Sequence, residues 1–345
     1  MSLERSWYSG AGWLKLLRPL SSLFKALVLR RFERQRRTGA AAACNPVPVV
    51  IVGNISVGGT GKTPLVIALI EILRAQGYRP GVVSRGYGAK PESHPWLVTP
   101  LTPPGEGGDE PCLIVQRTGV PLVIDPDRPR AVEALLSGHD CDLIISDDGL
   151  QHYALARDLE IAVIDGVRGL GNGRCLPEGP LREPPERLAH VDWVLINGAD
   201  RCPGLPELAQ SPVKMQLVPS MLVPLTTGPE LNPAHWPHGQ QVHAVAGIGN
   251  PVRFFDTLRA LGFEPIEHPL ADHAEITPEM LDFDPPLPII MTEKDAVKCR
   301  AFQTTGCWAL RVDAQLGAQF QSQFLQRLAQ VSAQHTGQQN GSETA

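Results

Sequence analysis

The glycine-rich stretch at residues 51–63, IVGNISVGGTGKT, limits the possible folds of this chain more than any other feature. An uncharged apolar run at 47–52 predicts a buried strand, and a helical pattern begins at Pro64 directly after the glycines. A glycine-rich turn in this context binds phosphate, because its backbone N–H groups can wrap a polyphosphate at the helix N-terminus. Ser56 replaces the usual first glycine of the motif, but Gly58, Gly59 and Gly61 keep the turn flexible. The sequence therefore predicts a nucleotide-binding loop.

The side chains of this loop indicate a nucleoside triphosphate and Mg²⁺ as its ligands. Lys62 can reach the β- and γ-phosphate oxygens, and the hydroxyl of Thr63 can bind Mg²⁺. We expect the nucleotide to contact eight consecutive residues: Ser56, Val57, Gly58, Gly59, Thr60, Gly61, Lys62 and Thr63.

Length, charge and cysteine content limit the domain number, the partners and the redox environment of the chain. At 345 residues, it is long for one compact core, so two domains are expected. The net charge of -5 hides a basic first segment, since residues 1–40 contain nine Lys or Arg and two Asp or Glu. A basic arm on an acidic body indicates an anionic surface as partner. Seven cysteines without a CxxC pair favour reduced thiols in the cytosol over a disulfide framework or a zinc site.

The first segment also carries an apolar stripe. Trp13, Leu17, Leu20, Phe24 and Leu27 recur at helical spacing, and a proline at position 19 begins a second helix or kinks the first. Such a stripe, flanked by arginines, suits a helix lying in the interface of a bilayer. The alternative is a helix packed on its own domain with a solvated basic end. The uncharged residues 38–61 contain prolines and glycines, which argue against a membrane span there.

Alternating strand and helix patterns predict an α/β fold: a P-loop domain with a doubly wound, mainly parallel sheet, and a second, smaller α/β domain. Strands are predicted at 81–84, 122–125, 143–148, 161–165 and 193–197, with extended segments at 213–218 and 221–225. A second strand and helix unit is predicted at 243–261, and a further strand at 288–292. The expected division is 1–45 (membrane-interface helices), 46–212 (P-loop domain), 213–241 (extended linker), 242–331 (smaller domain) and 332–345 (disordered tail).

Carboxylates at the ends of predicted strands and helices are candidate functional residues. Asp147 and Asp148 end a buried strand, where P-loop enzymes hold Mg²⁺, although they could also be solvated residues at the start of a loop. Asp109 and Glu110 precede a helical stretch, where they could cap the helix or meet a metal ion. The segment SRGYG at 84–88 follows another strand, which places its backbone near the phosphates, while Arg85 could be structural.

Taken together, the motifs resemble a known family, the tetraacyldisaccharide 4′-kinases, or lipid A 4′-kinases, of Gram-negative bacteria. The resemblance rests on the loop, on SRGYG, and on GDEP at 108–111, QRTG at 116–119, DDGLQH at 147–152, LPEGPLRE at 176–183, the Asp272-His273 pair and TEKDAVK at 292–298. It implies transfer of the γ-phosphoryl group of MgATP to the 4′-hydroxyl of a lipid A disaccharide 1-phosphate precursor. It also implies a peripheral location at the cytoplasmic face of the inner membrane. We expect no nucleic acid and no obligate protein partner.

The resemblance assigns roles to individual residues. It makes Asp109 the catalytic base supported by His273, counts Lys62 with them as catalytic, and has Lys62 and Thr63 hold phosphates and Mg²⁺. It makes Glu110, Asp147 and Asp148 the remaining metal-site residues. Tyr87, Arg128, Gln151 and His152 are expected near the substrate or a phosphate.

Two other classes share parts of the pattern. One is a membrane-associated partitioning or metal-cluster-scaffold ATPase, but its loop carries a signature lysine where this chain has Val57. The other is a GTP-dependent switch, suggested by Asn197-Gly198-Ala199-Asp200 after a predicted strand, although the lysine of the base-reading motif is absent.

Overall fold

A single sheet runs through the computed structural model, which describes residues 3–38, 45–200, 202–208, 210–302 and 305–342. Within those residues the sheet has twelve strands: β1 (Val49–Gly53), β2 (Pro80–Ser84), β3 (Trp96–Val98), β4 (Leu122–Ile124), β5 (Leu143–Asp147), β6 (Leu159–Asp165), β7 (Trp193–Asn197), β8 (Val213–Pro224), β9 (Gln241–Ala246), β10 (Glu264–Pro269), β11 (Ile289–Thr292) and β12 (Cys307–Leu316). Their spatial order is β10-β9-β11-β12-β8-β7-β6-β1-β5-β2-β4-β3. All neighbours are parallel except β3 with β4 and β8 with β12. The predicted fold class is confirmed.

Helices cover the sheet. They are α1 (Leu3–Ser9), α2 (Arg18–Thr38), α3 (Lys62–Ala75), α4 (Pro104–Gly107), α5 (Asp109–Thr118), α6 (Arg128–Gly138), α7 (Pro251–Ala260), α8 (Glu293–Cys299) and α9 (Ala318–Ser342). Short 3₁₀ segments lie at Gly12–Leu17, Pro185–His190, Pro233–His235, Pro278–Leu281 and Arg300–Phe302.

Strand β1 lies at the centre of the P-loop half. It pairs in parallel with β5 on one side and β6 on the other, and all five of its residues are buried. One core cluster packs α3, α5 and α9 on one face of the sheet, and a second cluster covers the opposite face with α6. Buried strands of this kind are continuous apolar runs, which explains why the sequence pattern predicted them. The carboxyl ends of β1, β2 and β5 therefore meet at one edge, where ligands of such sheets bind.

Strand β8 joins the two halves of the sheet. It pairs in parallel with β7 through Leu195↔Val213 and antiparallel with β12 through a long register that ends at Trp308↔Pro224. The two extended segments predicted at 213–225 are thus one twelve-residue strand. The predicted domain limits stay predictions, since one sheet runs through both halves.

The two ends of the chain differ from the sequence interpretation. Helix α9 continues to Ser342, so the tail predicted to be disordered from residue 332 is helical there, and residues 343–345 lie outside the described part. The sequence after residue 331 is polar and gave no helical signal. Among the described side chains, Val331 lies in the core and His335 Nε2 lies 3.0 Å from Asp158 Oδ1. Residues 1, 2 and 39–44 of the predicted membrane-interface segment are also outside the described part.

The apolar stripe of the first segment is divided between two faces. Phe24 packs against the core and Leu17 is half-buried, while Ser21 accepts a hydrogen bond from the backbone of Glu178 at 2.7 Å. The exposed face comprises Trp13, Leu16, Leu20, Leu23 and Leu27, each 46–81% exposed. The predicted stripe was therefore wrong by one residue at two positions: Leu16 and Leu23 are exposed, where Leu17 and Phe24 were predicted. None of the described helices combines the length and apolarity that crossing a bilayer requires.

Candidate active site

The phosphate loop, residues 56–63, connects β1 to α3. Helix α3 begins at Lys62 with Gly61 as its N-cap, so its unpaired N–H groups face the turn. Two asparagine side chains hold the loop at Thr60. Asn54 donates to Thr60 Oγ1 at 3.3 Å, and Asn197 donates to the Thr60 carbonyl at 3.0 Å. The backbone of Gly58 has a φ of +97°, which favours glycine. A Cβ atom at this position would also lie 2.7 Å from the Arg168 guanidinium. The loop is thus preorganised.

Two aspartates lie beside the loop at the end of β5. Asp148 Oδ1 is 3.4 Å from Lys62 Nζ, and its Oδ2 accepts a hydrogen bond from Arg182 at 2.9 Å. Burial raises the pKa of Asp148, but Lys62 and Arg182 outweigh burial and hold the pKa well below its ordinary value. Asp147 is fully buried, and burial together with the Glu110 and Asp148 carboxylates raises its pKa. The two neighbours therefore have opposite electrostatic environments.

The surroundings of Asp147 fit a magnesium ion. Its Oδ2 accepts a hydrogen bond from Ser84 at 3.2 Å, whereas its buried Oδ1 has no hydrogen-bond partner among the described residues. A divalent cation would give that oxygen a partner and offset the like charges of Asp148 and Glu110. Mg²⁺ keeps several waters and takes phosphate oxygens and one or two carboxylates as ligands, which the Asp147 oxygen and a bound nucleotide could supply. In the described part of the chain, no group of three or more His, Cys, Asp or Glu could hold a metal ion.

Asp109 and His273 bring the two halves of the sheet together. Asp109 is the first residue of α5, and its Oδ2 lies 3.1 Å from Nδ1 of His273, which lies in the loop after β10. His273 adopts a φ of +60°, a strained conformation for a residue other than glycine. Tyr87 packs against the imidazole with ring centroids 5.1 Å apart. The histidine ring is therefore held in one orientation against the carboxylate.

Two lysines of α8 surround the same pair. Lys298 Nζ lies 3.5 Å from Asp109 Oδ2, and Lys294 Nζ lies 3.2 Å from His273 Nε2. Burial raises the pKa of Asp109, but the hydrogen bond from His273 and the charges of Lys298 and Lys294 bring the pKa below its ordinary value. Burial lowers the pKa of Lys294, but Glu110, Asp272 and Asp109 more than compensate and raise the pKa. At neutral pH the site thus holds an ionised Asp109 beside two ammonium groups.

The loop and this cluster face one cavity of about 450 Å³. Of the residues predicted from sequence, those lining it are Val57, Gly58, Gly59, Thr60, Gly61, Lys62, Thr63, Tyr87, Glu110, Asp148 and His273. A further part of the wall comes from the second half, where the apolar side chains of Ile248, Phe254 and Leu217 lie beside Asn250 and Thr257. The cavity therefore combines the polar phosphate loop with an apolar patch between the halves.

The other predicted residues are not part of the cavity wall: Ser56, Asp109, Asp147, Arg128, Gln151 and His152. The side chain of Asp109 is nevertheless 12% exposed beside His273, which does line the cavity. Arg128 is buried and donates to the backbone carbonyls of Asp125 at 2.8 Å and Asp147 at 3.1 Å. Gln151 donates to the carbonyl of Asn54 at 3.0 Å and to Glu183 at 2.8 Å. Burial, with the positive charges of Arg128 and Arg85, lowers the pKa of His152 to about 4. Arg128 and Gln151 thus support the backbone around the loop and the aspartates.

Sequence reasoning missed several residues of the site. Lys294 and Lys298 belong to the motif TEKDAVK, and their i, i+4 spacing after a buried strand was the available signal. Arg182 in LPEGPLRE and Asn197 at the end of β7 carried no signal that pointed to the loop. The side chain of Asn197 contacts Thr60 and accepts from Arg253 at 3.2 Å, so it is already engaged on the phosphate side. This geometry disfavours the GTP-switch interpretation, which needs that side chain to contact a base.

Comparisons with known proteins agree with the geometry. The family model described as tetraacyldisaccharide-1-P 4′-kinase matches residues 13–329. A tetraacyldisaccharide 4′-kinase from Azotobacter vinelandii is 59% identical over 312 residues, 90% of this chain and 92% of the relative. One from Pseudomonas putida is 56% identical over 315 residues, 91% of this chain and 92% of the relative. A crystal structure of LpxK from Aquifex aeolicus in complex with ATP covers 92% of this chain and 99% of its own, with a TM-score of 0.71 and 25% identity.

A match over nearly the whole chain, at more than half identity, accompanies a phosphate loop, an acidic strand end and an Asp–His pair. The chain belongs to the tetraacyldisaccharide-1-P 4′-kinase family.

Proposed function

We propose that this chain transfers the γ-phosphoryl group of ATP to the 4′-hydroxyl of a tetraacyldisaccharide 1-phosphate, with Asp109 as the general base. The observation that carries the proposal is the shared cavity: the phosphate loop forms part of its wall from one half of the sheet, and His273, bonded to Asp109, lines it from the other. A nucleotide on the loop would direct its terminal phosphate toward that pair.

Phosphoryl transfer requires positioning and charge neutralisation more than covalent chemistry. The N–H groups at the start of α3 and the Lys62 ammonium would hold the β- and γ-phosphates. Thr63, Asp147 and Asp148, with Glu110 near, would hold Mg²⁺, which supplies charge neutralisation at the phosphates. The apolar patch of the cavity, between Leu217 and Phe254, would take the nucleobase.

Asp109 has one oxygen free for the acceptor. The contacts of His273 and Lys298 both fall on Oδ2, at 3.1 and 3.5 Å. Oδ1 is then the atom that takes the proton of the 4′-hydroxyl as the bond from oxygen to phosphorus forms and the bond to the β-phosphate oxygen breaks. A base with a lowered pKa is ionised at neutral pH and ready to accept that proton. Tyr87, 68% exposed beside His273, would contact the sugar.

We also propose that α2 and the preceding 3₁₀ turn bind the cytoplasmic surface of the inner membrane. Their exposed apolar face would enter the interface, while the exposed Lys15 and Arg30 would meet anionic headgroups at about 1 kcal/mol each. The opposite face is docked on the body, where Trp7 donates to the Pro177 carbonyl at 3.0 Å and Arg18 pairs with Glu178 at 2.9 Å. A site built on such a surface can take an acceptor with four acyl chains without removing it from the bilayer.

Replacing Asp109 by Asn tests the proposed base. The variant keeps the shape of the side chain but removes the proton acceptor, so kcat for transfer from ATP to the disaccharide 1-phosphate should fall about 10²–10⁴-fold. The Kd for MgATP should stay close to that of the unaltered protein, because Asp109 does not line the nucleotide cavity. Radiolabel transfer and nucleotide titration measure the two quantities. An unchanged kcat would show that Asp109 is not the general base.

Replacing Lys298 by Met should shift the pH profile. Activity is present above the pKa of Asp109 and is lost as the pH falls through it, and Lys298 contributes to keeping that pKa low. The acidic limb of kcat/KM should therefore move to higher pH in Lys298→Met and stay in place in Lys298→Arg. Arg259→Gln, in an exposed ion pair with Asp256, is the matched control. An acidic limb that does not move in Lys298→Met would contradict the assignment of the base.

Replacing Leu20 and Leu23 by Ser tests the membrane face. These side chains are 57 and 59% exposed, so their loss should weaken flotation with anionic vesicles and leave the melting temperature nearly unchanged. The control is Leu97→Ser with Leu101→Ser, which also removes two exposed leucines, at 42 and 91%, outside α2. Equal flotation of the two double variants would refute the proposed surface.

A further inference from the structure

Three consecutive carbonyl groups of the phosphate loop, those of residues 58–60, each accept a hydrogen bond from a side chain outside the loop. In that order the donors are Asn54 at 3.4 Å, the Nη2 group of Arg168, and Asn197 at 3.0 Å. Of the three donors only Arg168 carries a charge, and its contact with the loop carbonyl has no role so far.

These contacts decide where the N–H groups of the loop point. A carbonyl and the N–H group that follows it belong to one planar trans peptide unit, so the two point in opposite directions. Donors that hold the carbonyls of residues 58–60 on one side therefore turn the N–H groups of residues 59–61 to the other side. No hydrogen bond among the described residues uses these three N–H groups as donors. Unused N–H groups beside a helix N-terminus are what a polyphosphate needs.

Arg168 is fixed at each nitrogen of its guanidinium group. It follows β6, whose last residue, Asp165, accepts from the backbone N–H of Arg168 at 3.0 Å and from its Nε at 3.3 Å. Nη2 donates to the Gly59 carbonyl, and Nη1 lies 3.9 Å from Glu4 Oε1 of α1. Only 15% of the side chain is exposed. The arginine is thus held between the end of a strand and the loop.

A cation this close to the loop could instead touch a phosphate directly. Arg168, however, is not one of the residues that line the nucleotide cavity. Turning its guanidinium into the cavity would break the contact with the buried Asp165 carboxylate, which is costly. The geometry therefore favours an action of Arg168 through the loop backbone.

We propose that Arg168 is a positioning residue for nucleotide binding: it holds the Gly59 carbonyl and thereby aims the Thr60 N–H group at a phosphate of ATP. The inference rests on the placement of the nucleotide in the proposed function and is independent of the role of Asp109. The N–H groups of such loops cradle the α- and β-phosphates, which are not transferred. Arg168 therefore acts on the affinity for MgATP more than on turnover.

The experiment compares Arg168→Met and Arg168→Lys with the control Arg130→Met. The control breaks a similar pair, because Arg130 binds the buried Asp125 after β4 at 2.6 Å but does not line the cavity. Both methionine variants should therefore lose melting temperature, as thermal denaturation would report. Only Arg168→Met should lose affinity for MgATP.

The expected sizes follow from the lost hydrogen bond. In Arg168→Met the Kd for MgATP should rise about 10–100-fold, the effect of one hydrogen bond to a charged group. The kcat at saturating MgATP should change less than about 3-fold, because the contact acts alike on the ground state and the transition state. Arg168→Lys keeps a donor for the Gly59 carbonyl and should bind MgATP at least about 3-fold more tightly than Arg168→Met. Nucleotide titration and initial rates measure these quantities.

Two further measurements separate positioning from a general loosening of the site. Adenosine, which has no phosphate, should compete equally well in the unaltered chain and in Arg168→Met. In protein labelled with ¹⁵N-threonine, the Thr60 amide signal, assigned from Thr60→Ser, should move when MgATP is added to the unaltered chain. The same signal should move much less in Arg168→Met at saturating MgATP.

The outcomes distinguish a failure of this inference from a failure of the proposed function. An unchanged Kd for MgATP in Arg168→Met, an equal loss of adenosine binding, or an Arg168→Lys variant that binds no better than Arg168→Met would each overturn the role of Arg168. A Thr60 amide that does not respond to MgATP in the unaltered chain would show that the nucleotide is not on the loop, and would contradict the proposed function as well. Arg168→Gln, too short to keep both contacts, takes the place of Arg168→Met if that variant does not fold.

Discussion

The hydrogen bond from His273 to Asp109, 3.1 Å long, is the contact on which the site depends. It joins α5, in the half of the sheet that carries the phosphate loop, to a loop of the other half. Without it the Asp109 carboxylate of the first half would lose the hydrogen bond that orients it. His273 of the second half would then lose its acceptor. Strand β8 makes the contact possible, because it pairs with both halves and sets their spacing across one sheet.

Around that contact, the carboxylates lie in distinct electrostatic environments. Asp148 is paired with Lys62 and Arg182 and stays ionised, while Asp147 is buried near other carboxylates and has one oxygen without a partner among the described residues. An orphaned buried carboxylate oxygen is costly in a folded protein. A cation bound at Asp147 would offset this cost. A Mg²⁺ ion there would lie beside the phosphate loop, where it could neutralise the nucleotide phosphates. Asp109, by contrast, is kept ionised by cations that belong to the protein.

Local pattern and a family resemblance were enough to predict the phosphate loop and the buried strands around it, and to propose roles for the acidic residues. Each of these features depends on neighbours within a few positions of the chain, as in the strand and turn before Lys62. The joining role of β8 was not accessible, because its partner β12 lies about 90 residues away and pairing at that distance leaves no periodic signal. Lys294 and Lys298 were missed as site residues because Lys298 contacts Asp109 and Lys294 contacts Glu110, each more than 180 residues earlier in the chain. The exposed face of α2 was misjudged because periodicity cannot tell which side of a helix the body covers.

These features describe an ATP-dependent kinase, and we propose that the phosphoryl group passes directly from the nucleotide on the loop to an alcohol deprotonated by Asp109. The most direct test is the stereochemistry of transfer from ATP made chiral at the γ-phosphorus with three oxygen isotopes. A single in-line displacement inverts the configuration at phosphorus, and inversion is the result that this account predicts. Retention would mean that the group first rests on a side chain of the protein, and would contradict a direct transfer governed by Asp109.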